Sequence, residues 1–286
     1  MCDDLTEADN ARFLADAMTR RGFGAAAAVA GIGVLLPAPA NALAIKGRDV
    51  AIATPDGTAD AYFVAPSGGK HPAVLVWPDI MGLRPAFRQM ADRLAQSGYA
   101  VLTVNQFYRS TKAPFVTPGQ GFDAVLGEKV GPWRKLLTPE ATSRDAAAFV
   151  AWIDRQPEVN RKRGIGTTGY CMGGPMVMLT AAGSPARVRA GATFHGGGMA
   201  TDAMLARIPE MKASYLVAIA ANDDAKAPGD KDKLRAAFAA AKLPAEIEVY
   251  PGTMHGWCPP DSKVHDQAQA DRAWERLLAL FGKALA

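Results

Sequence analysis

Short runs rich in apolar and β-branched residues alternate with longer segments of helical periodicity across most of the chain. Residues 49–54 and 59–64, split by Pro55-Asp56-Gly57-Thr58, predict a hairpin. Buried strands are predicted at 73–77, 100–104, 165–170, 190–194, 215–220 and 246–250. Between and after them, the spacing predicts helices at 85–97, 139–156, 173–182, 231–242 and 265–284. Thr138-Pro139 marks one helix start, because a hydroxyl can cap the first free N–H groups and proline suits the first helical position. Strands alternating with helices in this way build an α/β domain, with a mostly parallel central sheet covered by helices on both faces. Residues 106–137 do not follow the pattern. They are rich in Gly, Pro and aromatics (Phe107, Tyr108, Phe115, Phe122 and Trp133), as in a functional loop or a partly helical cap. Those aromatics suit either a pocket mouth or plain packing onto the body.

The first 44 residues read as an export signal rather than as part of the domain. Arg20-Arg21 is followed by an uncharged apolar run at 25–36, too short to span a bilayer comfortably, and then by the small-residue exit Ala42-Leu43-Ala44. This order predicts a twin-arginine signal cleaved after Ala44, a periplasmic destination and only transient membrane contact. Residues 45–286 then form a single domain, a length sufficient for one sizeable core. The formal net charge of +4 is spread along the chain, without the basic clusters of a nucleic-acid binder.

Three cysteines are present, and Cys2 lies in the leader, so the mature chain keeps Cys171 and Cys258. Cys171 stands in Gly166-Thr167-Thr168-Gly169-Tyr170-Cys171-Met172-Gly173-Gly174, at the junction of a predicted strand and a predicted helix. Gly169 and Gly173 flank it at the spacing that lets a sharp turn project a nucleophile above the carboxyl edge of a sheet. The helix that follows directs free N–H groups and the positive end of its dipole toward the sulfur, which favours the reactive thiolate. The backbone N–H of Met172 is in position to hold an oxyanion. Two bland readings compete with this one: a small buried thiol, and a Cys171–Cys258 disulfide in an oxidising compartment.

Chemistry at Cys171 needs a base and an acid to orient it. His255 lies in a Gly-flanked loop after the last predicted strand, where an open α/β sheet presents functional residues. His195 also ends a strand, and is a pocket-lining residue or a second candidate base; His71 and His265 read as surface residues. Asp223 and Asp224 follow the 215–220 strand, and either can reach the imidazole. The chain order nucleophile, acid, histidine is that of α/β-hydrolase sheets. Neither metal-ligand spacing nor a phosphate-binding glycine loop is present, so no cofactor is expected.

The motif Gly169-Tyr170-Cys171-Met172-Gly173-Gly174 resembles the nucleophile motif of the dienelactone hydrolase family of α/β-hydrolases. The likeness extends from the 73–83 segment through Asn222-Asp223-Asp224 to the stretch around His255. The resemblance implies an α/β-hydrolase fold and a Cys171–Asp223–His255 triad, with Asp224 as the alternative acid. It also implies oxyanion donors at Met172 and Ile80. It puts Asp79 where the family keeps a thiol-neighbouring acid one methylene longer, and Arg109 where it keeps one of two substrate-carboxylate arginines. The second arginine position holds Pro259. The implied substrate is a small-molecule ester or lactone broader than a dienelactone. An acyltransferase with the same triad, and a non-catalytic binding protein on the same scaffold, are the rival readings.

Overall fold

The computed structural model of the protein describes residues 9, 10, 12, 13, 36–39 and 41–286. The arginine pair Arg20-Arg21 and nearly all of the 25–36 apolar run lie outside the described residues.

Eight strands form one sheet: β1 (Ile45–Thr54), β2 (Gly57–Pro66), β3 (Ala73–Trp77), β4 (Ala100–Val104), β5 (Ile165–Tyr170), β6 (Val188–Phe194), β7 (Ser214–Ala220) and β8 (Ala245–Tyr250). Their order across the sheet is β1-β2-β4-β3-β5-β6-β7-β8. The β1–β2 hairpin pairs in antiparallel register from Ile45↔Pro66 to Thr54↔Gly57, and β2 meets β4 antiparallel as well. From β4 to β8 every pairing is parallel. The carboxyl ends of β3, β5, β6, β7 and β8 therefore open onto one edge, with Trp77↔Gly169, Tyr170↔Phe194, Phe194↔Ala218 and Ala220↔Tyr250 as register partners.

The period-2 alternation of β3 divides the core between the two faces of the sheet. Val74 and Val76 join Phe87, Leu94, Tyr170, Phe194 and Phe281 on one face. Ala73, Leu75 and Trp77 join Phe149, Ile153, Ile165 and Val177 on the other. Helices α1 (Pro85–Gln96) and α8 (Gln267–Ala284) cover the first face. Helices α3 (Pro139–Ile153) and α4 (Gly173–Gly183) cover the second. Farther along the sheet, Leu234 and Phe238 of α7 (Asp230–Ala240) pack with Tyr215, Val217 and Ile247. The start of α3 forms as its sequence predicts: Thr138 Oγ1 accepts from the N–H of Ala141, with Pro139 next.

The 106–137 segment contains helix α2 (Ala124–Lys135), which Asp123 caps through the N–H of Leu126. Its sequence hides it, because Gly127, Gly131 and Pro132 are all poor helix formers. Tertiary packing holds it in place. Phe107, Phe115 and Trp133 meet edge to face or tilted at 5.2–5.9 Å between ring centroids, over Ile80, Leu126 and Val130. Two short helices, α5 (Asp202–Leu205) and α6 (Ala221–Lys226), lie between these elements, and α6 follows β7 directly.

Candidate active site

Cys171 sits between the last residue of β5 and the first of α4 with φ +55°. A side-chain-bearing residue is uncommon in this left-handed region and costs about 1 kcal/mol or more there, so surrounding contacts must enforce the turn. Its N–H donates to the Phe194 carbonyl at 3.0 Å, and its carbonyl accepts from Gly174 N–H at 3.0 Å. The flanking glycines leave no room for anything larger. A Cβ on Gly169 would lie 2.2 Å from the Gly173 carbonyl oxygen, and one on Gly173 would lie 2.3 Å from that of Trp77. The start of α4 is thus pressed against the end of β3, which brings Met172 beside the 78–82 turn that carries Ile80. Gln106 steadies that turn by donating from Nε2 to the Asp79 carbonyl at 2.7 Å.

His255 is placed by the stitching of two loops. Thr253 donates its hydroxyl to the Tyr250 carbonyl and accepts the N–H of Ala221, and Asn222 Oδ1 accepts the N–H of His255 at 2.8 Å. These bonds bring Asp223, on α6, to His255, with Oδ2 2.7 Å from Nδ1. In the tautomer whose Nδ1–H donates to that carboxylate, Nε2 carries a lone pair. Asp224 turns the other way, and both its oxygens accept from Lys231 Nζ, at 2.6 and 2.8 Å. Of the two aspartates, the fold brings Asp223 to the imidazole.

His195 bridges the halves of this edge. Its backbone follows Phe194, the acceptor for Cys171, and its ring packs on that of His255 at 5.0 Å and on Trp257 at 5.1 Å. It is 1% exposed, has φ +44°, and neither ring nitrogen has a hydrogen-bond partner. Burial, and after it the neighbouring His255 charge, hold its pKa well below the usual histidine value. His195 is therefore a neutral ring at physiological pH.

Two residues implied by the family resemblance are engaged elsewhere. Asp79, expected near the thiol, binds Arg84 through both oxygens, Oδ1–Nη1 at 2.6 Å and Oδ2–Nη2 at 2.9 Å, and also accepts the N–H of Met81. Arg84, 3% exposed, is shared with Asp261. Burial works against its charge, and the two carboxylates more than offset this, so its pKa rises. Arg109, expected to hold a substrate carboxylate, is bound by Asp145 through Nη1 and Nη2 and by Asp56 through Nε and Nη2. All three of its nitrogens donate to these two carboxylates. Asp261, Gln106 and Asn222 escape a sequence reading because their partners are remote in the chain, and Arg84 lies only five residues from Asp79 but 177 from Asp261.

Cys258 is buried and free, and burial pushes its thiol well above the usual range, so the Cys171–Cys258 pairing does not form. Cys171 is nevertheless disulfide-bonded. Among the described residues, no group of three or more His, Cys, Asp or Glu could hold a metal ion, and no helix is long and apolar enough to cross a membrane. A cavity of about 490 Å³ opens beside Asp223, between the 196–200 loop, Val217, Ile219 and Leu234.

The model of the dienelactone hydrolase family matches residues 59–285, nearly the whole of this sheet and its helices. The chain belongs to the dienelactone hydrolase family. It is 27% identical over 228 residues to a carboxymethylenebutenolidase from Rhodococcus opacus, covering 76% of this chain and 83% of that one. In fold it is similar to a dienelactone hydrolase-like promiscuous phosphotriesterase from metagenomic libraries, at TM-score 0.72 and 22% identity over 85% of this chain and all of that one. It is also similar to the dienelactone hydrolase from Anabaena variabilis, at TM-score 0.61 and 18% identity over 85% of this chain and 99% of that one.

Strain at the turn predicts an order of stabilities. Cys171→Gly relieves the positive φ and Cys171→Ala keeps it, so the Gly variant should be more stable by about 1 kcal/mol, whereas helix propensity alone would favour Ala. Chemical denaturation of the two proteins decides it, and an Ala variant equal to or above Gly would refute the strain. His195 predicts an acid sensitivity. Its pKa is depressed in the fold, so the unfolded chain binds the extra proton and stability is lost as pH falls below the ordinary histidine value of 6.5. Each pH unit should cost up to about 1.4 kcal/mol from this group. His195→Phe should flatten the pH 7 to 5 stability curve by that slope, and an unchanged slope would show that His195 does not supply it.

Proposed function

We propose that this protein hydrolyses a carboxylic ester or lactone through a Cys171–His255–Asp223 triad and an acyl-thioester intermediate. The observation that carries the reading is the 2.7 Å His255–Asp223 bond at the same sheet edge as the strained, glycine-flanked Cys171. Family membership supports the hydrolytic class. The name of the Rhodococcus opacus relative, a carboxymethylenebutenolidase, supports a lactone or ester bond as the target.

In this reading His255 Nε2 takes the Cys171 proton, and Asp223 holds the imidazole in the required tautomer and stabilises its cation. The thiolate sulfur bonds to the acyl carbon, and the carbonyl electron pair moves to oxygen, where the Met172 and Ile80 N–H groups receive it. Collapse of the tetrahedral intermediate breaks the C–O bond, and the imidazolium returns its proton to the leaving oxygen. In a lactone that oxygen stays tethered to the acyl group. Water, deprotonated by the same imidazole, then attacks the thioester, releasing the acid and restoring the thiol.

The disulfide at Cys171 sets a condition on this chemistry, because a sulfur bonded to sulfur has no thiolate to offer. A dithiol supplies the two electrons and two protons that free it, and is itself oxidised to a cyclic disulfide. With Arg109 spent on Asp56 and Asp145, a substrate need not carry a carboxylate, which favours a broad range of neutral esters and lactones. The same reading takes residues 1–44 as an export signal and the periplasm as the destination, on the order of arginine pair, apolar run and Ala42-Leu43-Ala44.

The test is hydrolysis of an activated neutral aryl ester by the full chain with and without dithiothreitol. Turnover should appear on reduction, and Cys171→Ser should lower it at least about a hundredfold without loss of the folded circular-dichroism spectrum. Undiminished turnover by the Ser variant, or equal turnover by the unreduced wild type, would exclude the cysteine mechanism.

A further inference from the structure

Cys171 is 2% exposed and His255 4%, so neither is open to an approaching ester in the full chain. Two residues from the start of the chain lie against this edge. Asn10 is itself buried and donates from Nδ2 to the His255 carbonyl at 3.2 Å, across 245 residues of sequence. Its Oδ1 is buried there without a hydrogen-bond partner. Beside it, Asp9 Oδ2 pairs with Lys226 Nζ at 2.5 Å, and both residues line the cavity that opens at Asp223.

We propose that the segment carrying Asp9 and Asn10 is an autoinhibitory strap, docked on the Asp223–His255 edge, which must lift before substrate reaches Cys171. The proposal rests on the reading of Cys171 and His255 as the reacting pair. Three features point to an occupant that leaves rather than a permanent wall. The ion pair is partly solvated, with side chains 40% and 29% exposed, and such pairs hold weakly. The amide contributes one donated bond and leaves its acceptor unpaired, a poor exchange for the water it gave up. The strap also belongs to the 1–44 region, so cleavage after Ala44 would remove it with the leader. The covalent bond at Cys171 and the polar contacts of the strap are then two brakes on one site, one answering to reduction and the other to displacement.

The full chain, reduced with dithiothreitol and desalted, provides the test, in wild type, Asp9→Ala/Asn10→Ala and Lys226→Ala forms. Alkylation of Cys171 by iodoacetamide, read by peptide mass spectrometry, and kcat/KM on a neutral aryl ester are measured together. Both should rise about three- to tenfold in each variant, the size expected for losing one or two weak polar contacts. The charge swap Asp9→Lys/Lys226→Asp should return both to near the wild-type values. Alkylation rates at the wild-type level in both variants, or a rise in Lys226→Ala that the swap fails to reverse, would overturn the strap. Alkylation needs no turnover, so the two proposals fail separately. Faster alkylation without Cys171-dependent hydrolysis sinks the triad alone, and Cys171-dependent hydrolysis with unchanged alkylation sinks the strap alone.

Discussion

The close approach of the first turn of α4 to the last residues of β3 is the constraint from which the site follows. Two backbones meet there with no space for a Cβ at Gly169 or Gly173, and the chain can make the contact only by reversing sharply at residue 171. The price is a left-handed cysteine. What results is a sulfur at a helix start, next to the backbone of Met172 and the Ile80 turn, with the Phe194 carbonyl fixing its own N–H. Phe194 in turn delivers His195, and His195 backs His255. Each step is a neighbour relation within the parallel sheet, so the strand order β3-β5-β6-β7-β8 arranges the site as much as any side chain does.

Electrostatics then sorts the carboxylates. Asp79 and Asp261 share Arg84, Asp145 and Asp56 share Arg109, and Asp224 takes Lys231. A buried or half-buried carboxylate left unpaired is costly, and these cations answer that cost one by one. Asp223 has a histidine as its partner instead of a permanent cation. An acid paired with a titratable base can follow a proton through a reaction, whereas one clamped by a guanidinium cannot. The same sorting explains why two residues that match family positions are committed to the scaffold here. Asp79 organises the turn before α1 through Arg84, and Arg109 ties the β1–β2 hairpin to α3.

The strands and long helices were legible because buried strands and amphipathic helices write their periods into the sequence, and β3, β4 and β5 begin and end where the apolar runs do. The positions of Cys171, Asp223 and His255 were legible for a related reason, since each follows a strand whose carboxyl end must reach the same edge. Helix α2 was not, because three poor helix formers mask it and its support comes from Phe107 and Phe115, outside its own turns. Between Asp223 and Asp224 the residues by themselves left either open, and the family resemblance favoured Asp223. The choice depends on which way a six-residue helix faces, and Lys231, seven positions on, is what draws Asp224 away. The commitment of Arg109 escaped because an ion pair spanning 36 or 53 residues leaves no local pattern.

The proposed strap and the sheet it covers are held by forces of different kinds, and this makes them separable. Residues 9 and 10 touch the edge through an ion pair and a donated hydrogen bond. From Ile45 onward the chain is bound by a ten-residue antiparallel ladder whose inward side chains include Ile52, 1% exposed. Leu43 and Ala44 already make backbone bonds, to Gln96 and Ser67, just before that ladder begins. The boundary expected at Ala44 therefore falls directly before the cooperative β-pairing of β1 with β2. A cut there would leave β1 whole, whereas a cut ten residues later would strip the sheet of its edge strand.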